Sequence, residues 1–159
     1  MNNEALKSYI SSHCPEATFD EAGEWLNVLI ESNQLTTLAL SLKGQPLKMD
    51  FLFNLTCVDY NTRLTMVYHF TSTSNRTINL VVKANLDRNA PIIETLSAIW
   101  RTAEFHEREV FEMFGVQFLN HPDLRRLILD EETPIGVDAS KGYWPLRKDF
   151  EDPINMIKL

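Results

Sequence analysis

The densest run of chemically able side chains is Glu104-Phe105-His106-Glu107-Arg108-Glu109-Val110-Phe111-Glu112-Met113-Phe114. On a helix, Glu104, Arg108 and Glu112 recur every fourth residue and share one side, with Val110, Phe111 and Phe114 opposite. Spacing alone favours a surface helix braced by Glu–Arg pairs. The enzymatic alternative is paired carboxylates doing acid–base work with His121 as helper, but no residues nearby mark a substrate pocket. A second cluster, His121-Pro122-Asp123-Leu124-Arg125-Arg126, sets a potential capping Asp before two outward arginines. A third, Gly142-Tyr143-Trp144-Pro145-Leu146-Arg147-Lys148-Asp149-Phe150, mixes large aromatics with charge. That mixture suits an interface anchor or a segment docked on its own core.

Other chemistries lack their residues. There is no Gly-rich phosphate loop, nucleophile elbow or dinucleotide fingerprint. Cys14 and Cys57 stand 43 positions apart, and two thiols do not supply the four ligands of an iron–sulfur cluster. His13, His69, His106 and His121 are scattered without the spacing of a helical zinc site. Neither a metal nor a cofactor is therefore expected on this chain.

The elements that must position these clusters follow from periodicity. Residues 4–13 read as an amphipathic helix, with Leu6, Tyr9 and Ile10 on one face. Trp25 to Ile30 alternates as a strand. Leu35, Leu38, Ala39 and Leu42 form a helical stripe that Asn33 can cap and Gly44 and Pro46 stop. Phe51–Val58, Leu64–Phe70 and Thr77–Val82 read as strands, the last two as a hairpin. Pro91 is placed to open a helix holding Ile92, Ile93, Leu96 and Ile99, and a further helix spans about Thr102 to Phe114. After Gly115 the periodicity fades. Residues 115–159 hold three of the five glycines and four of the seven prolines, and their charges alternate in sign. The expected fold class is α+β: a small, mostly antiparallel sheet flanked by helices in residues 1–114, plus an extended, irregular C-terminal arm over 115–159. Such an arm cannot build a core of its own. It is expected to lie on partners, with mobility past about residue 128 when they are absent.

The chain has 159 residues, 44% of them hydrophobic and 23% charged, and a net charge of −7. That size and composition fit one globular domain with an arm. The acidic balance argues against nucleic acid. No stretch approaches the ~18 apolar residues of a membrane span, and no leader peptide is expected.

In order and spacing, Glu107-Arg108-Glu109, Glu112, Gly115, His121-Pro122-Asp123-Leu124-Arg125-Arg126 and Pro145-Leu146-Arg147-Lys148-Asp149-Phe150 resemble the 30 kDa, C-type subunit of respiratory NADH:quinone oxidoreductase, complex I. Upstream, Phe53 to Tyr60 and Val67 to Phe70 resemble that family's second and third strands. Two departures are Glu112, where the family usually has Asp, and Trp144-Pro145, where it usually has His-Pro.

The resemblance implies a non-catalytic peripheral-arm subunit on the cytoplasmic side of the cell membrane, needed for assembly and supporting the quinone-site subunit. Its implied partners are the D, B and I types of subunit, with NADH and quinone reached only through the complex. FMN and iron–sulfur clusters would sit on those other subunits. The implied signature and interface residues are Glu107, Arg108, Glu109, Glu112, Gly115, His121, Pro122, Asp123, Arg125, Arg126, Trp144, Arg147, Lys148 and Asp149. The alternative is the equivalent subunit of a membrane-bound hydrogenase, formate-linked or ferredoxin-linked complex.

Overall fold

A computed structural model describes residues 3–130 and 144–150. The chain runs α1 (Asn3–His13), β1 (Thr18–Asp20), β2 (Leu26–Ile30), α2 (Leu35–Lys43), β3 (Phe51–Asp59), β4 (Arg63–Thr71), β5 (Asn79–Asp87), β6 (Ile92–Glu94), α3 (Ala103–Phe114) and β7 (Gln117–Leu119). Five strands form one sheet in the order β1-β2-β5-β4-β3. Only the β2–β5 pair in it is parallel. This is the mixed α/β fold with a mostly antiparallel sheet that the pattern predicts.

Alternation decides which side chains enter the core. Leu26, Val28 and Ile30 of β2 lie level with Leu80, Val82 and Ala84 of β5. Tyr68 and Phe70 of β4 face Val82 and Leu80 across the antiparallel ladder. All are buried on one face of the sheet, against Leu6 and Ile10 of α1 and the Leu35–Leu38–Ala39–Leu42 stripe of α2. Asn33 makes no cap: a 3₁₀ turn at Ser32–Gln34 leads into α2, and no side chain caps its N-terminus.

One expected element changes type. Residues 92–94 are a strand, not the start of a helix. Ile93 is buried and Ile92 exposed, and the segment pairs in parallel with β7, some 25 residues later. Ile92, Leu96 and Ile99 fall at helical spacing by coincidence, because Leu96 and Trp100 belong to the tight turns that follow. The packing continues past Phe114. Val116 and Phe118, 0% and 3% exposed, join the same core through the β6–β7 pair. Residues 131–143 and 151–159 of the expected arm lie outside the described residues.

Candidate functional site

α3 lies against β3. The Thr102 hydroxyl donates to the Leu52 carbonyl, and the His106 ring accepts the Leu55 N–H at 3.1 Å. The helix ends at Gly115, which adopts φ 77° and donates its N–H to the Phe111 carbonyl. A side chain there would be strained by the left-handed backbone and would also collide with the Trp144 indole. Gly115 thus ends the helix and makes room for Trp144.

The orientation of α3 overturns the surface-helix expectation. Glu107 and Glu112 are fully buried and Arg108 nearly so, whereas Phe105 is 54% exposed. The buried charges do not brace one another but bind backbone. Arg108 forks onto two carbonyls, Nε to Arg125 at 3.0 Å and a terminal nitrogen to Arg126 at 2.6 Å. One turn on, the Glu112 carboxylate accepts the N–H groups of Leu127, Ile128 and Leu129 at 3.0, 2.6 and 3.2 Å. The carbonyls of Arg125 and Arg126 are thus held by Arg108, and the N–H groups of the next three residues by Glu112. Buried backbone polar groups must find partners, and here two charged side chains satisfy a loop that has no sheet or helix to do so. The loop's side chains then point outward, Leu127 41% and Ile128 61% exposed.

Glu107 holds a different segment. Its carboxylate accepts the Leu96 N–H at 2.7 Å and bonds the Thr95 hydroxyl. Burial pushes this carboxyl up to about 7, opposed by the Thr95 and Leu96 hydrogen bonds. His121, its side chain fully buried, brings Nε2 within 3.7 Å of Glu107 and bonds the Glu104 carbonyl at 3.0 Å. Its Nδ1 accepts the Asp123 N–H at 3.0 Å, so the ring proton sits on Nε2.

The third cluster docks on the end of α3. The Leu146 N–H reaches the Met113 carbonyl, and Arg147 Nε donates to the Phe114 carbonyl at 2.7 Å while its guanidinium lies over the Trp144 ring. Desolvation lowers the Arg147 pKa, and Arg88 adds to the effect. The neighbouring Lys148 N–H donates to Asp59. Asp59 also takes both prongs of Arg88, at 3.0 and 2.9 Å, and Arg88 reaches on to Asp149 at 2.6 Å. The Arg88 guanidinium holds the Asp59 carboxyl well below the usual carboxylate range.

The structure thus brings Glu107, Arg108, Glu112, Gly115, His121, Trp144, Arg147 and Asp149 into one continuous junction around α3. It leaves Glu109, Pro122, Arg125 and Lys148 facing solvent, with Arg125 paired to the adjacent Asp123 at 2.8 Å. Asp59, Arg88 and Thr95 belong to the junction and escape local pattern reading. The one local hint is the Asp59-Tyr60-Asn61 turn, whose Asn61 N–H bonds Asp59. The Arg108, Glu112 and Arg147 side chains are spent on backbone. A hollow of about 260 Å³ on the open sheet face, lined by Asp20, Arg63, Lys83 and Asn85, contains no signature residue, whereas Gly115, Trp144 and Arg147 border a smaller one of about 200 Å³. Among the described residues, no three His, Cys, Asp or Glu side chains are placed to hold a metal ion.

Residues 28–154 match the family model of the respiratory-chain NADH dehydrogenase 30 Kd subunit. The chain belongs to that family. Among its 30 Kd relatives is the NADH-quinone oxidoreductase C subunit of Moorella thermoacetica, 39% identical over 77% of this chain and 78% of that one. The F(420)H(2) dehydrogenase C subunit of Methanosarcina mazei is 34% identical over 95% of this chain and 93% of its own length. The NADH-quinone oxidoreductase C/D subunit of Phocaeicola vulgatus is 38% identical over 70% of this chain, which spans only 20% of that longer protein. Among solved structures, a chain of an archaeal membrane-bound sulfane sulfur reductase shares the fold, with TM-score 0.74 and 23% identity over 95% of this chain and 86% of that one.

Proposed function

We propose that this 30 Kd-type chain is the peripheral-arm C subunit of an NADH:quinone oxidoreductase, a complex that passes electrons from NADH to quinone and couples this to ion translocation. The observation that carries it is the family match over residues 28–154, joined to a 39% identical relative bearing that name. The chain acts as a scaffold with no catalytic centre of its own. FMN and iron–sulfur clusters reside on the other subunits, and the chain sits at the cytoplasmic face of the cell membrane. In keeping with a peripheral place, no helix among the described residues is long and apolar enough to cross a membrane.

The partners are subunits of the D, B and I types. For D there is a specific support: in the Phocaeicola relative the matching region is part of one polypeptide named C/D, and two regions on one polypeptide remain neighbours. The contact surface is the outward set left by the α3 clamps, namely Glu109, Pro122, Arg125, Leu127, Ile128 and Lys148. The Methanosarcina relative favours a second reading, in which the same scaffold serves a complex whose electron donor is not NADH. Affinity capture of the tagged chain after mild detergent extraction, with identification of the chains held and of the donor that drives quinone reduction, tests both. Recovery with D- and B-type subunits and NADH-driven turnover is expected. Recovery without any such subunit would refute the assignment.

A further inference from the structure

We propose that Glu107 is a proton-binding site of this chain, wired to the surface by the hydroxyls of Thr95 and Ser97. The proposal goes beyond the scaffold role and stands on a hydrogen count. The Thr95 hydroxyl has one proton and two acceptors in reach: the Glu107 carboxyl and the Ser97 hydroxyl, the latter at 2.8 Å. When Glu107 is ionised, Thr95 donates to it. When Glu107 is protonated, the carboxyl O–H donates to Thr95, whose own proton turns to Ser97. In either state the Leu96 N–H and the Ser97 N–H keep their acceptors, Glu107 and Thr95. Thr95 and Ser97 keep 9% and 8% of their surface exposed, and Glu107 keeps 0%. To protonate the carboxylate, Thr95 passes its proton to Glu107 and takes one from the Ser97 hydroxyl, which takes one from water; release runs the same steps in reverse.

The surroundings leave the charge uncompensated. Arg108, next on α3, is committed to the carbonyls of Arg125 and Arg126. His121 donates its Nε2 proton to the Glu104 carbonyl and approaches Glu107 only at 3.7 Å. From β4, the Tyr68 hydroxyl is buried with no hydrogen-bond partner and interacts electrostatically with Glu107. Among the described residues, no lysine or arginine pairs with Glu107. A buried carboxylate without a cation favours its neutral form, in line with the upward displacement of this group. By contrast, Glu112, equally buried, meets three backbone N–H donors. Proton occupancy of Glu107 thus sets the charge buried where β6, α3 and the His121 turn meet.

The test is a carbon-13 carboxyl NMR titration of the full chain, with the Glu107 signal assigned through the α3 backbone and checked by its loss in Glu107→Gln. One glutamate carbon, that of Glu107, should titrate near neutrality. Thr95→Val removes the donor to the carboxylate and should raise that midpoint by at least about one pH unit, whereas Thr95→Ser should restore it. If the Glu107 carbon shows no midpoint near neutrality, or the midpoint ignores Thr95→Val, the proposal fails. The wild-type titration alone decides the first point if the variants do not fold.

Discussion

Glu112→Gln separates a clamp from a solvated surface charge. In the native chain, one carboxylate oxygen takes the N–H groups of Leu127 and Leu129, and the other takes Ile128 at 2.6 Å. A glutamine offers one oxygen. Placed for Leu127 and Leu129, it sets its own NH₂ against the Ile128 N–H, and the reverse placement orphans two donors. A hydrogen bond to a charged group contributes ~1.5–3 kcal/mol, and at least one is lost while the rest lose their charge. Solvent access at Ile128 lets part of the loop rehydrate. The net cost is therefore about 2–3 kcal/mol, or about 4–12 °C in Tm for a domain of this size. Thermal unfolding gives the total, and amide hydrogen exchange gives the place: protection should fall at Leu127, Ile128 and Leu129 first. A Tm within about 1 °C of wild type, with unchanged exchange at those three amides, would show that Glu112 does not hold the loop.

Asp59 has a folded pKa below its unfolded value, so its latch with Arg88 and the Lys148 N–H stabilises the chain above about pH 4. That contribution is lost as pH falls, and acid should release residues 144–150 first, read as a change in Trp144 fluorescence. Glu107 has the opposite sign: raised from 4.5 to about 7, it favours the folded state at low pH, and about 3 kcal/mol is lost as pH climbs from about 4.5 through 7. Urea midpoints should show Glu107→Gln equal to or more stable than wild type at about pH 8 and relatively less stable at about pH 5. Gly115→Ala should cost about 2–4 kcal/mol, from a left-handed alanine plus displacement of the indole. Adding Trp144→Ala should recover the steric part, and additive losses in the double variant would count against the packing account.

The sheet and two helices are legible in the sequence because their information is local. Leu26–Val28–Ile30 and Met66–Tyr68–Phe70 alternate, and the α2 stripe has helical spacing, so side chains two or four residues apart reveal the buried face. β6 is hidden because its partner is β7, and no period in residues 92–94 encodes a pairing so distant. In α3 the period shows which residues share a side but not which side faces inward. Val110, Phe111 and Phe114 mark an apolar face, yet Glu107, Arg108 and Glu112 are also interior, for a reason outside the helix: residues 95–97 and 125–129 need polar partners. Arg147 shows the same limit. Its setting among aromatics suits a partner interface, but its Nε bonds the Phe114 carbonyl, a contact that no spacing between residues 114 and 147 announces.

In the proposed scaffold, the junction gives the buried charged residues a structural task. Catalytic carboxylates need an open acceptor aimed at a substrate. Glu112 accepts three hydrogen bonds from the chain's own backbone and Arg108 donates two to it, which fixes residues 125–129 from beneath. Fixing a loop by its peptide groups leaves its side chains free to be hydrophobic. Leu127 and Ile128 are held outward at little entropic cost to a binding partner, because the backbone that carries them is already ordered. The Arg88–Asp59–Asp149 latch acts likewise on the segment carrying Leu146, 53% exposed. In the proposed scaffold, the charged signature is therefore the underside of the contact surface. A substitution in it should weaken assembly through misplacement of Leu127, Ile128 and Leu146 even though the altered residue never meets the partner.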